Sequence, residues 1–346
     1  MSSGELSDWY NVEDHGLAGD GVTDDTAALQ ALIDRIGKTQ RNSVIYFPKD
    51  GPYLIAGPLQ DPEKANCQIR FPSVPLESRQ YTLTLKGYNR PTFSPSAYST
   101  VPLPAGTRIK STLATGGGES PAVFGGRGPR DKNNYECSFM APGFEDLIIQ
   151  TVPDPKVTAV DLYHFTNTYF RDVAIIAGNS QSVLEAVEPT TPTSYGVRHP
   201  KVSSGINQRV EGVLNILGFY NGLNVGEGAM VNDIGVWSCK YGLHYEFSHG
   251  QSFINRCIVG WCPNTIKITG EHCMRIAELD IERWVPGKGG VHSAWYNFVA
   301  DVIDPENVAY GEIVYRTVIA NVGYVPDAFT ITSGGTHLRV HELYKS

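Results

Sequence analysis

The sequence has no excess of positive charge. Its 346 residues carry 28 Lys and Arg against 36 Asp and Glu, a net charge of −8. A protein that grips a phosphate backbone needs a basic stripe, so nucleic acid is not an expected partner. No apolar run approaches the roughly 20 residues of a membrane-spanning helix, and no membrane insertion is expected. The segment Met1 to Asn11 is polar and acidic and lacks the basic-then-apolar pattern of a secretory leader. A phosphate-cradling P-loop, a strand-linked G-x-G-x-x-G and a G-x-S-x-G nucleophile elbow are missing. The six cysteines, at 67, 137, 239, 257, 262 and 273, contain no C-x-x-C pair, which argues against a zinc knuckle or a thioredoxin-type site. They read as buried thiols. No metal and no cofactor is expected.

What is abundant is glycine (36), proline (22) and tyrosine (18), none of it periodic enough for collagen or low-complexity disorder. The strongest local signal lies near the N-terminus, in NVEDHGLAGDGVTDDTAALQALIDRI, residues 11–36. Gly16, Gly19 and Gly21 mark tight turns. Asp20, Asp24 and Asp25 read as turn and cap residues ahead of a helix over 24–36. Ala28, Leu29, Leu32, Ile33 and Ile36 fall on one face of that helix, and Gly37 is expected to end it. A strand, Ser43 to Phe47, follows and stops at Pro48.

GDGVTDDTAALQALID, then VIYFPKDGPYLI at 44–55 and TLTLKGY at 82–88, closely resemble the N-terminal part of the pectate-lyase-like superfamily. The resemblance covers about residues 9–115. It implies a right-handed parallel β-helix, an all-β solenoid with a short capping α-helix. Pectin-type lyases, glycoside hydrolases and phage tailspikes share this segment, so it leaves the reaction open.

A β-helix should repeat every 20–25 residues or so. Apolar-x-x-apolar strand starts recur at Phe144–Leu147, Phe170–Val173, Val210–Val213, Val231–Ile234, Ile254–Cys257, Ile276–Leu279 and Val299–Val302; the last four steps are 21, 23, 22 and 23 residues. A second ladder follows at Ile206, Leu223, Leu243, Ile266 and Val291. Residues 88–106, 116–143 and 177–204, rich in Pro, Gly, Ser and Thr, read as loops projecting from the coils. One continuous domain is expected: cap and first coils over 1–115, central coils over 116–312, closing strands over 313–346, among them Ile313 to Val318, Ala328 to Thr332 and His337 to Leu343.

Alternation assigns the outward side chains. In the second ladder the outward slot holds Asn207, Asn224, His244, Lys267 and His292, one per coil at about 4.8 Å spacing. This predicts a polar row with His244, Lys267 and His292 as near neighbours; the resemblance implies that a glycan lies along such a face. In the first ladder Asp280 and Glu282 both point outward, about 6.5–7 Å apart along the strand. That separation suits the two carboxyl groups of glycosidic hydrolysis. Trp237, two coils earlier, and Trp284 are candidate sugar platforms. Lyase chemistry needs a base and cations to stabilise an enolate-like anion, and His244, Lys267, Arg256 and Arg283 are the candidates.

The expected function is that of a phage tailspike-like protein of the virion tail that binds, and in its active form cuts, a bacterial surface polysaccharide. The resemblance implies a homotrimer or contact with other tail proteins. The alternatives are a stand-alone extracellular microbial lyase or glycoside hydrolase, and a structural virion β-helix without activity.

Overall fold

The computed structural model describes residues 8–60, 66–75, 77–92, 105–114, 121–128, 138–177, 194–199, 208–226, 228–244, 252–260 and 262, and the strand backbones 207, 245–246, 264–269, 274–282, 298–300, 311–320, 336–340 and 343–345. The chain is a right-handed parallel β-helix. Its first sheet runs in the order Asp8–Asn11, Ser43–Phe47, Thr82–Gly87, Ala141–Glu145, Asn167–Ile176, Asn207–Leu217, Ala229–Trp237, Ser252–Gly260, Met274–Glu282, Gly311–Ala320, Thr336–Val340. Every pairing along it is parallel, so each strand is one coil's contribution. The second sheet stacks Cys67–Arg70, Ala122–Gly125, Thr158–Asp161, Tyr195–Arg198, Asn221–Val225, Tyr241–Glu246, Asn264–Thr269 and Phe298–Ala300.

Alternation fills the lumen. Leu85, Phe144, Phe170, Val210, Val231, Ile254 and Ile276 are successive register partners, and those whose side chains are described are buried. The Phe144 and Phe170 rings stack at 5.2 Å. The second sheet faces them with Val160, Val197, Leu223 and Leu243, again register partners. The strand starts from Phe144 to Ile276 thus form one inward row, as their spacing predicts.

Four expectations change. Val213 is not the inward partner of Val173; Leu214 is, because Gly212, at φ +79°, inserts an extra residue. Val299 belongs to the second sheet, opposite Lys267, and the first sheet continues instead at Val318, opposite Leu279. The loop expected over 177–204 contains the strand Tyr195–Arg198, which takes the place given to Ile206; likewise 116–143 contains Ala122–Gly125. The closing strands Gly311–Ala320 and Thr336–Val340 are in place, whereas 328–332 lie outside the described residues.

The helix α1 spans Thr26–Thr39 and buries Leu29, Leu32, Ile33 and Ile36 at the end of the lumen. It runs past Gly37 and ends at Gln40, which is left-handed at φ +49° and donates its N–H to the Ile36 carbonyl. Gly37 serves close packing: a Cβ there would lie 2.8 Å from Cγ of Pro72. Asp25 precedes the helix without capping it. Its carboxylate accepts from the backbone N–H of Ala18 (2.6 Å), Gly19 (3.2 Å) and Leu54 (3.2 Å), tying the glycine turns to the first coil. Asp24 accepts from Thr26 N–H and Ala56 N–H, and Asp20 closes its own turn on Val22 and Thr23. All three aspartates do structural work.

Candidate functional site

The second sheet aligns Asp161, Arg198, Asn224, His244 and Lys267 as consecutive register partners. The row therefore exists, with two differences from the expected one. Asn207 lies on the first sheet opposite Asn167, and the partner beyond Lys267 is Val299, while 292 lies outside the described residues. The middle of the row is also covered: Asn224 is 1% and His244 7% exposed. His244 Nδ1 lies 3.3 Å from the Tyr195 hydroxyl with the two rings stacked, and the Asn224 amide donates to the His244 carbonyl. At the half-exposed end, Arg198 sits 4.0 Å above the Tyr163 ring and 3.7 Å from the Asp161 carboxylate. Alternation found the row; the ring of Tyr195 stacked on His244 is a tertiary contact that alternation cannot see.

The expected acid pair lies on the strand Met274–Glu282. Asp280 pairs with Ile258 and Glu282 with Gly260, which in turn pairs with Trp237. In the coils before them this outer facet is apolar: Ile148, Ala174, Ile176, Leu217 and Trp237 form a second buried cluster outside the lumen. The Trp237 ring lies over Gly260, where a Cβ would be 2.1 Å from it. The tryptophan thus leans along its row toward the register position of Glu282. It is outward, as expected, but only 5% exposed, so it is no open platform. Arg256 is exposed, between Asp233 and Glu278 in register. Residues 283 and 284 lie outside the described residues.

The open face is elsewhere. Before the bend in the first sheet, one outward row runs from Trp9 through Val44, Thr84, Gly143, Tyr169 and Arg209 to Met230 and Phe253. Trp9, Met230 and Phe253 are 59%, 56% and 43% exposed. Gly143 keeps the floor low, since a Cβ would be 3.3 Å from the Tyr169 ring. Next to Met230 and Phe253 the side chains of Asn232 and Asn255 hydrogen-bond across the coils at 3.3 Å. The sequence carried one sign of this face, large apolar residues at polar-side positions, and that sign is readable only once register is known.

Beside it runs a row of alternating charge: Lys86, Glu145, Arg171, Glu211. Glu145 Oε2 accepts from Lys86 at 2.7 Å and from Arg171 at 2.6 Å, and Asp146 accepts from Lys86 at 2.8 Å. Burial pushes the Glu145 carboxyl up, but the hydrogen bonds from Lys86 and Arg171 outweigh it and hold it below the ordinary range. Burial, then the Glu145 charge, pushes the Tyr169 phenol well above its ordinary range. Glu145 is therefore a fixed anion and Tyr169 a neutral donor. A carboxylate so held is a poor general acid.

A family model described as rhamnogalacturonase A/epimerase, pectate lyase-like, matches residues 9–69. Over 48 residues the chain is 48% identical to mannuronan C5-epimerase AlgE1 of Azotobacter vinelandii, covering 14% of this chain and 3% of that protein. Over 57 residues it is 42% identical to the non-secreted LysM effector LysM19 of Penicillium expansum, covering 14% of this chain and 4% of that one. Among solved structures, the phiAB6 tailspike, in complex with three-repeated oligosaccharides of Acinetobacter baumannii surface polysaccharide, aligns at a TM-score of 0.51 and 14% identity, over 95% of this chain and 47% of that chain. The chain thus spans a few per cent of the curated relatives' length and under half of the tailspike's.

Proposed function

We propose that this pectate-lyase-like β-helix binds a polysaccharide along its outer face and depolymerises it, acting as a phage tail protein on a bacterial surface glycan. The observation that carries this reading is the open row on the first sheet. A polymer with a regular repeat is matched by a surface with a regular repeat, and here each coil presents one residue at the same lateral position. Exposed Phe253 and Met230 offer apolar contact to sugar faces; Arg209, Asn232 and Asn255 offer hydrogen bonds to hydroxyl groups.

Asp280 and Glu282 are the proposed catalytic carboxyl groups, with Trp237, Trp284, Arg256 and Arg283 as neighbours. His244 and Lys267 are the proposed base and cation if the reaction is an elimination, with Asn224 and His292 beside them. Purified bacterial surface polysaccharides, pectin and alginate serve as probes. New reducing ends without ultraviolet absorbance mark hydrolysis, and unsaturated ends mark a lyase. Asp280→Asn and Glu282→Gln each lose hydrolysis and keep the fold by circular dichroism; full cleavage by both variants removes the acid pair. Phe253→Ala with Arg209→Ala weakens binding at least tenfold, and undiminished affinity removes the open row. Sedimentation tests the proposed homotrimer.

The local match to a mannuronan C5-epimerase favours a second reading, a stand-alone microbial enzyme acting on a polyuronide. Cleavage confined to alginate or pectin would select it.

A further inference from the structure

The lumen is lined by aliphatic and aromatic side chains, with a polar interruption at one corner. Thr168 and Gln208 are register partners at the start of their strands, 2% and 0% exposed. Each lies two residues before an inward core residue, Phe170 and Val210, so the two-residue period turns both into the lumen. His199 follows the half-exposed Arg198 and is itself fully buried, its ring 6.0 Å from that of Phe170. His199 thus stands beside Phe170, and Thr168 and Gln208 stand two residues upstream in the coils of Phe170 and Val210.

Their side-chain polar atoms are unpaired among the described residues. Thr168 Oγ1, both heteroatoms of the Gln208 amide and both ring nitrogens of His199 have no hydrogen-bond partner among the described residues. Leaving a buried polar atom unpaired costs more than an ordinary hydrogen bond contributes, and native interiors hold few such atoms. A cluster of them at one corner calls for a common partner. The donor and acceptor inventory says which kind. A hydroxyl gives and takes, an amide offers both ends, and a neutral imidazole has one nitrogen of each type. Burial keeps His199 neutral, its pKa held down to about 3. Among the described residues, no group of three or more His, Cys, Asp or Glu surrounds a common point, so the set does not suit a metal ion. The next residue along the row is Ala229, also fully buried.

We propose that Thr168, His199 and Gln208 line a closed hydration site inside the β-helix, occupied by about two ordered waters that bridge them. Water matches a mixed set of buried donors and acceptors. The site is independent of any glycan bound outside.

Two measurements on the full chain test this. A high-resolution crystal structure, or water-to-protein cross-relaxation by NMR, should find long-lived water within hydrogen-bond reach of Gln208 and His199. A dry corner, or protein groups pairing all these atoms, overturns the proposal. Gln208→Leu should lower the thermal midpoint by several degrees, because the waters lose partners while Thr168 and His199 keep their needs. Adding T168V and H199F to Q208L should recover part of that loss. A midpoint for Gln208→Leu at or above that of the unsubstituted chain sinks the idea, since removing an amide from a dry corner would relieve a cost. If Gln208→Leu does not fold, the water measurement on the unsubstituted chain decides alone.

Discussion

At the scale of residues, a few polar side chains hold the fold's first turn. Asp25 is 1% exposed and accepts three backbone N–H groups, two from the glycine turn and one from the strand Tyr53–Ile55. Asp25→Ala should destabilise the protein by about 3 kcal/mol, read from the urea midpoint; a change within error would show the turn closes without it. Among the groups that set a dependence on pH are His199 and Glu145. His199 is neutral and buried, its pKa lowered to about 3 by burial, so the unfolded chain binds more protons than the folded one below the ordinary histidine value. Stability from this group is complete above about pH 6.5 and falls as pH drops toward 3. Glu145, held low by Lys86 and Arg171, adds stability above the ordinary carboxylate value and loses it as pH falls below that value. Urea midpoints from pH 7 to pH 4 should therefore decline, and His199→Phe should flatten the upper part of that decline. That the N-terminal aspartates are structural was legible in the sequence, because turn chemistry is local. That Gly37 sits within the helix was not, because its reason is Pro72, thirty-five positions away in the chain.

At the scale of elements, the coils depend on how closely their backbones approach. Gly196 and Gly222 follow Tyr195 and Asn221, which are paired in the second sheet. A Cβ on Gly222 would stand 2.2 Å from Cγ1 of Val236 and 2.5 Å from the Gly242 carbonyl. The carbonyl belongs to a hydrogen-bonded coil and cannot swing away, so Gly222→Ala should cost roughly 3 kcal/mol, again read from a urea midpoint; a smaller loss would mean the coil yields. The bend in the first sheet has its own rule. Asp146, Asp172 and Gly212 carry positive φ at this bend, and the Asp172 carboxylate accepts from Val213 N–H in the next coil. The apolar-x-x-apolar spacing located the strands to either side. It misplaced Val213, because one added residue at Gly212 exchanges inside and outside for everything after it until the next turn.

At the scale of the whole molecule, a stack of coils is stabilised by neighbours alone, so its open ends need covers. The apolar face of α1 is the cover at the N-terminal end. Ile33 is fully buried there, and Ile33→Asp should uncover the lumen and turn a monodisperse protein into aggregates by light scattering. A soluble Ile33→Asp variant with native circular dichroism would show that the cap is dispensable. No helix among the described residues is long and apolar enough to cross a membrane. The same stacking makes the exterior a set of ruled lines, and the lines differ in character. One is aromatic and open, one alternates in charge, one is apolar and buried, and one runs from half-exposed Arg198 to buried His244.

The coil repeat, a helix near the N-terminus and the inward row from Phe144 to Ile276 follow from the sequence alone, because period and alternation are properties of consecutive residues; that the helix caps a right-handed β-helix is what the resemblance implied. Which outward row is open follows only from the tertiary structure. Side chains remote in sequence meet there, as Tyr195 does on His244, so His244 and Asn224 are buried while Met230 and Phe253 are exposed, against what their polarity alone would suggest.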